Sequence, residues 1–171
     1  GNLYGALEHG AELLERIGIL NVQIESVAGG MEAYTRFWWA IDFHYRKFQE
    51  CRQRSIQPGL LGVLADKVEL AYVNAYLMPL ASGWEGALNA HTTWPPQGIA
   101  RNRGFFDEVV KPVLARNQKL FVIISDALRY ECAMELQKRL LAEDRYTANL
   151  DARLAGLPTT TQFGMAALLL A

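Results

Sequence analysis

The 171-residue chain reads as an α/β protein, with an N-terminal helical region followed by a β-α-β unit. Three observations predict it. Residues 120–124, Leu-Phe-Val-Ile-Ile, are an unbroken and largely β-branched apolar run, the pattern of a strand buried on both faces. Just after it, Leu128, Cys132, Leu136 and Leu140 recur every fourth residue while Arg129, Glu131, Glu135, Lys138 and Arg139 fall largely elsewhere, as on an amphipathic crossover helix. Far upstream, Tyr34, Phe37, Trp38, Ile41, Tyr45 and Phe48 recur at spacings of three and four, which predicts a helix over 31–54 with an aromatic face.

Taken in order, residues 3–17 form a short amphipathic helix. Gly29-Gly30 then starts the aromatic helix, and Pro58-Gly59 ends the connection after it. A second long helix over 60–89 aligns Leu61, Leu64, Val68, Tyr72, Ala75 and Tyr76, with Pro79 expected to kink it. The two long helices should pack as an antiparallel hairpin. Residues 91–98, His-Thr-Thr-Trp-Pro-Pro-Gln-Gly, break every pattern and place a boundary between a helical region, 1–97, and an α/β domain, 98–171. A short helix over 105–115 leads into the core strand. Residues 145–154 alternate as a second strand, ended by Ala155-Gly-Leu-Pro158, and the threonines Thr159, Thr160 and Thr161 precede an Ala- and Leu-rich helix that one of them would cap.

Composition sets the class and little else. With 51% hydrophobic and 20% charged residues the chain is an ordinary globular one, so wholesale disorder is excluded. Residues 1–100 carry ten acidic against seven basic side chains and residues 101–171 carry eight against ten, too mild a split to predict nucleic-acid binding. Cys51 and Cys132 stand apart, neither in a Cys-x-x-Cys pair, which fits a reduced, cytoplasmic protein. No apolar run is long enough to span a membrane.

The chemistry is expected where the strand ends. In a parallel sheet, ligands bind beyond the carboxyl ends of the strands, which is where Asp126 stands. A hydroxyl cluster at a helix start, with backbone N–H groups and the positive end of the helix dipole, favours a phosphate in the same crevice. One carboxylate and one hydroxyl so placed suggest a metal-assisted phosphoryl site. The competing structural reading is that Asp126 and a threonine merely cap the helices that follow them. Arg129 and Glu131 read as a salt-bridged or solvent-facing pair, Arg129 being the candidate phosphate contact. His9, His44 and His91 are far apart in sequence, and His44 reads as structural.

The string Phe-Val-Ile-Ile-Ser-Asp126-Ala-Leu-Arg-Tyr-Glu131, with Leu-Pro-Thr-Thr-Thr161-Gln-Phe-Gly-Met-Ala-Ala-Leu-Leu, resembles the opening of the PglZ domain of bacterial BREX phage-resistance systems, whose core is similar to the alkaline phosphatase superfamily. The close resemblance covers about residues 104–171; Val68-Glu-Leu-Ala-Tyr72 and the stretch from Tyr76 to Trp84 resemble the preceding helical region more loosely. The resemblance implies the first part of an alkaline-phosphatase-like α/β core. It implies Asp126 as a metal ligand, Thr161 as nucleophile or metal-bridging hydroxyl, and a divalent metal, zinc first with manganese or magnesium as alternatives. The expected activity is hydrolysis of phosphate mono- or diesters, possible substrates including nucleic acid or nucleotides. The expected partners are other BREX proteins, including a DNA methyltransferase. The alternative it leaves open is a non-catalytic assembly component that binds nucleotide or metal. Because the superfamily draws its other ligands from later in the chain, this sequence is expected to be a piece of a longer protein and inactive alone.

Overall fold

The computed structural model describes residues 1–90 and 94–169, so residues 91–93 of the sequence-predicted boundary lie outside the described residues. The chain divides into two compact units, Gly1–Pro95 with Tyr130–Cys132, and Pro96–Arg129 with Ala133–Ala171.

The first unit is helical. Helix α1 (Asn2–Gly18) packs along α3 (Trp39–Gln53), and α2 (Val27–Ala33) runs into α3 through a π-helical stretch, Tyr34–Trp38. The return arm is α4 (Gly62–Ala71), a second π-helical stretch, Tyr72–Leu77, and α5 (Met78–Asn89). Tyr45 stacks on Tyr72 at 3.7 Å and Gly30 abuts Trp84, so the arms run antiparallel. The helix starts earlier than Gly29-Gly30 suggested, because Ser26 caps it by accepting the Gly29 N–H at 3.1 Å. Gly30 is needed inside it: an added Cβ would lie 2.8 Å from Ile24 and 3.0 Å from Trp84. Pro79 falls in the first turn of α5, where the wider π turn before it changes the hydrogen-bond register that proline would interrupt.

The core of this unit joins Leu13, Ile41, Phe48, Leu61, Val68 and Tyr76, each nearly or fully buried. Burying side chains of this size contributes about 1.5–3 kcal/mol each. At its centre is a charge. Asp42, 5% exposed, accepts hydrogen bonds from Tyr34 Oη to Oδ2 at 2.6 Å, Tyr72 Oη to Oδ1 at 2.6 Å and Tyr76 Oη to Oδ2 at 3.4 Å. Burial first, and then the Asp42 charge, push the Tyr76 hydroxyl well above its ordinary pKa, which keeps it a donor. Of the two sequence readings of Glu131, salt-bridged or solvent-facing, the solvent-facing one does not hold. Glu131 is fully buried, and its Oε1 lies 3.7 Å from Arg46 Nε.

The second unit corrects the predicted fold class. Among the described residues there is no strand, so the β-α-β arrangement and the α/β class do not hold. Residues 119–124 are extended but unpaired into any ladder, with Phe121 86% and Ile123 91% exposed. The second expected strand, 145–154, contributes only an isolated parallel bridge from Leu154 to Arg101, made by Leu154 N–H to Ala100 O at 2.8 Å and Asn102 N–H to Leu154 O at 3.1 Å. The reason is physical: an apolar run records a preference for burial, whereas a strand exists through hydrogen bonds to a neighbouring segment. What forms instead is a π-helical turn, Phe106–Val110, leading into α6 (Lys111–Ala115), then α7 (Tyr130–Leu141) and α8 (Thr161–Leu169). No helix among the described residues is long and apolar enough to cross a membrane.

If Asp42 organises the first unit, Asp42→Ala should cost about 3 kcal/mol or more in urea unfolding, because it strips the acceptor from buried tyrosine hydroxyls. Tyr34→Phe, which removes one donor, should cost about 1–2 kcal/mol. Equal, sub-kilocalorie effects of both would show that the carboxylate is incidental.

Candidate active site around Asp126 and Thr161

Two loops of the second unit meet at a cavity of about 550 Å³. One is the turn that follows the extended run, Ser125, Asp126, Ala127 and Leu128; the other is the approach to α8, Gly156 and Thr159 to Thr161. Asn102 adds a polar side chain, and Ile124, Met165 and Leu168 supply apolar wall. The parallel bridge between Arg101 and Leu154 ties the segment carrying Asn102 to the chain that leads into the threonine loop. Arg153 strengthens the tie by donating from Nη1 to Arg101 O at 3.0 Å and pairing with Glu108 at 2.8 Å.

The two residues singled out in the sequence are in direct contact. Thr161 Oγ1 donates to Asp126 Oδ2 at 3.0 Å, across 35 residues of chain. Both are exposed to the cavity. Thr161 is the first residue of α8, while Thr160 occupies the capping position, its carbonyl accepting the Gly164 N–H at 2.9 Å. Asp126 is followed by Ala127 at φ +54°, a left-handed conformation that costs a residue with a Cβ about 1–2 kcal/mol. That turn carries the chain sharply away from Asp126 and leaves its carboxylate at the cavity wall.

Arg129 is placed elsewhere. It is the exposed residue preceding α7, in an extended conformation, and does not line the cavity. Thr159 and Thr160, read from sequence as part of the hydroxyl cluster, line it too, as do Ser125 and Asn102, which were given no role from sequence. Ser125 and the other threonines sit within the recognised motif strings, but nothing around Asn102 marked it, since it is brought in by the backbone bridge alone. Among the described residues no group of three or more His, Cys, Asp and Glu side chains converges, so the oxygen pair of Asp126 and Thr161 is the donor set present. Carboxylate and hydroxyl oxygens suit a hard divalent cation in kind; such ions take further ligands in number.

Comparison with known proteins shows what the chain is similar to. Residues 105–171 match the family model described as "BREX system PglZ alkaline phosphatase-like domain". More particularly, the chain resembles the PglZ proteins of BREX systems over both its units. It is 42% identical over 145 residues to the "Alkaline phosphatase-like protein BrxZ" of Escherichia coli O9:H4 (strain HS), covering 81% of this chain and 17% of that protein. It is 36% identical over 172 residues to the "Alkaline phosphatase-like protein PglZ" of Bacillus cereus (strain H3081.97), covering 98% of this chain and 20% of that protein. The chain thus spans about a fifth of the length of these relatives. No solved structure matches it.

The Thr161 to Asp126 bond is exposed, and a hydrogen bond of that kind contributes about 1 kcal/mol or less. Thr161→Val, which keeps the shape and removes the hydroxyl, should leave the circular dichroism spectrum unchanged and shift urea stability by less than about 1 kcal/mol. A large loss would mean that the bond serves folding.

Proposed function

We propose that this chain contributes the metal-ligand carboxylate and the nucleophile of a phosphoric-ester hydrolase of the alkaline phosphatase-like class. The observation that carries the reading is the 3.0 Å contact between Thr161 Oγ1 and Asp126 at a shared cavity. Helix capping does not account for that contact, since Thr161 turns its hydroxyl to Asp126 and Asp126 reaches across 35 residues of chain rather than to the helix that follows it.

In this reading Asp126 and Thr161 are two ligands of a divalent cation, zinc first, with manganese or magnesium as alternatives. A bound cation of this kind stabilises the alkoxide form of a hydroxyl and offsets charge on a transferring phosphoryl group. Asp126 accepts the Thr161 proton in its hydrogen bond and so fixes which way the oxygen lone pairs face. Thr161 gives up its proton to solvent as Oγ1 attacks phosphorus, the bond from phosphorus to the leaving oxygen breaks, and the leaving alkoxide takes up a proton from solvent to become the alcohol. Water then hydrolyses the phosphothreonine and restores the hydroxyl. The neutral donors Ser125, Thr159, Thr160 and Asn102 are placed to hold non-bridging oxygens, and the apolar wall of Ile124, Met165 and Leu168 to exclude water from part of the cavity. We assign no role to Arg129.

The names of the relatives support a setting as well as a chemistry. We propose that the protein acts among the other components of a BREX phage-defence system, a DNA methyltransferase among them, in the cytoplasm. The separately cored helical unit is the part suited to docking those components, since none of its described residues lines the Asp126 cavity.

The test is metal-stimulated hydrolysis of a generic phosphodiester by a full-length PglZ-type protein carrying this sequence. Asp126→Ala and Thr161→Ala should each lower turnover at least about 100-fold, in line with loss of a nucleophile or of a principal charge-stabilising group. A wild-type protein that binds metal and turns over no phosphoester would favour an assembly role instead.

A further inference from the structure

The helical unit holds a pair of imidazoles that neither the fold nor the proposed hydrolysis uses. His9 of α1 and His44 of α3, 35 residues apart in sequence, bring their Nδ1 atoms to 3.0 Å. Their ring centroids are 5.2 Å apart with the planes tilted by 53°, and Phe43 packs edge-on to both, 5.9 Å from His9 and 5.2 Å from His44. The two helices are the most closely packed pair in the unit, so the backbones behind the rings are held. We propose that His9 and His44 form a bis-imidazole site for a first-row divalent transition-metal ion.

Three considerations carry it. With metal–nitrogen bonds of about 2.0–2.1 Å, nitrogens 3.0 Å apart subtend about 90–100° at the ion. That is the cis angle of square-planar or octahedral coordination, which suits nickel or copper, whereas tetrahedral zinc would need the nitrogens a few tenths of an ångström further apart. Turning both rings by about 40° from the line joining the nitrogens would direct the two Nδ1 lone pairs to a common point, and water would fill the remaining positions, both rings being only half-buried.

The proton inventory also allows it. In the hydrogen-bonded pair one ring carries hydrogen on Nδ1 and the other presents a bare Nδ1. When an ion enters, that hydrogen moves to Nε2 of the same ring, so both Nδ1 atoms become ligands and no proton is lost.

The surrounding charge is mixed. Glu8 and Glu12 lie on the α1 side, with Arg16 paired to Glu12 at 3.5 Å. On α3, Arg46 and Lys47 sit over the Phe43 ring at 5.6 and 5.9 Å. The site is therefore not a general cation trap, and selection falls to ligand type: imidazole nitrogen favours nickel, copper and zinc over magnesium and calcium.

The experiment is a titration of the chain with NiCl₂, and with MgCl₂ as the contrast, followed by calorimetry and by NMR of the histidine rings. One nickel ion should bind per chain, and substoichiometric nickel should broaden the His9 and His44 ring signals first. His9→Gln and His44→Gln should each weaken binding at least tenfold, while Asp126→Asn, which alters the proposed active site, should leave it unchanged. Should a histidine variant fail to fold, the broadening pattern in the wild-type chain decides. Broadening centred elsewhere, binding unaltered in folded His44→Gln, or no binding at all would overturn the proposal.

Discussion

The helical unit depends on one buried carboxylate. A charge as enclosed as Asp42 is costly unless its oxygens are satisfied, and here three tyrosine hydroxyls from both arms of the hairpin converge on it. The requirement fixes more than a single contact. It sets the register between the arms, because Tyr72 and Tyr76 reach Asp42 only when α4 and α5 lie antiparallel beside α3. All three tyrosines lie in the two π-helical stretches, where the wider turn shifts the phase of the side-chain stripe. The core leucines and phenylalanines fill the space that this arrangement defines.

The candidate active site is built on the opposite principle. Its carboxylate and hydroxyl are exposed, are joined by one hydrogen bond, and sit on a turn and at a helix start rather than in a core. Ala127 spends conformational energy at the turn beside Asp126, where a glycine would relax. Strain and exposure next to a charged group cost stability, and they are expected where a side chain must meet a substrate or ion. Asp42 is saturated by tyrosine hydroxyls, whereas Asp126 accepts from Thr161 and faces a cavity, the setting the proposed chemistry requires.

Much of the helical unit was legible because its order is local. The three- and four-residue spacing of Tyr34, Phe37, Trp38, Ile41, Tyr45 and Phe48 named the aromatic helix, and the stripe through Leu61, Val68, Tyr72 and Tyr76 named its partner. Gly29 and Gly30 misled, since glycine reads as a breaker, whereas Gly30 is used here for the close approach of Trp84. Glu131 misled for a related reason: nothing near it in sequence announces that Arg46 will meet it in a buried setting. The strands failed most fully. Apolarity in 120–124 was real, but pairing is non-local, and no described segment supplies a ladder. The strand end and the hydroxyl cluster suggested a shared crevice for Asp126 and a threonine, but the choice of Thr161 among the three threonines came from the resemblance of both strings to one family.

The most direct test of the proposed chemistry is to locate the metal. Crystals of a full-length PglZ-type protein carrying this sequence, grown with manganese or zinc, would reveal the ion by anomalous scattering. The expected result is a peak within about 2.0–2.6 Å of an Asp126 oxygen, with Thr161 Oγ1 in or beside its coordination shell. An ion bound away from Asp126, with the Thr161 to Asp126 hydrogen bond intact, would contradict the assignment of Asp126 as a ligand and return that contact to a structural role.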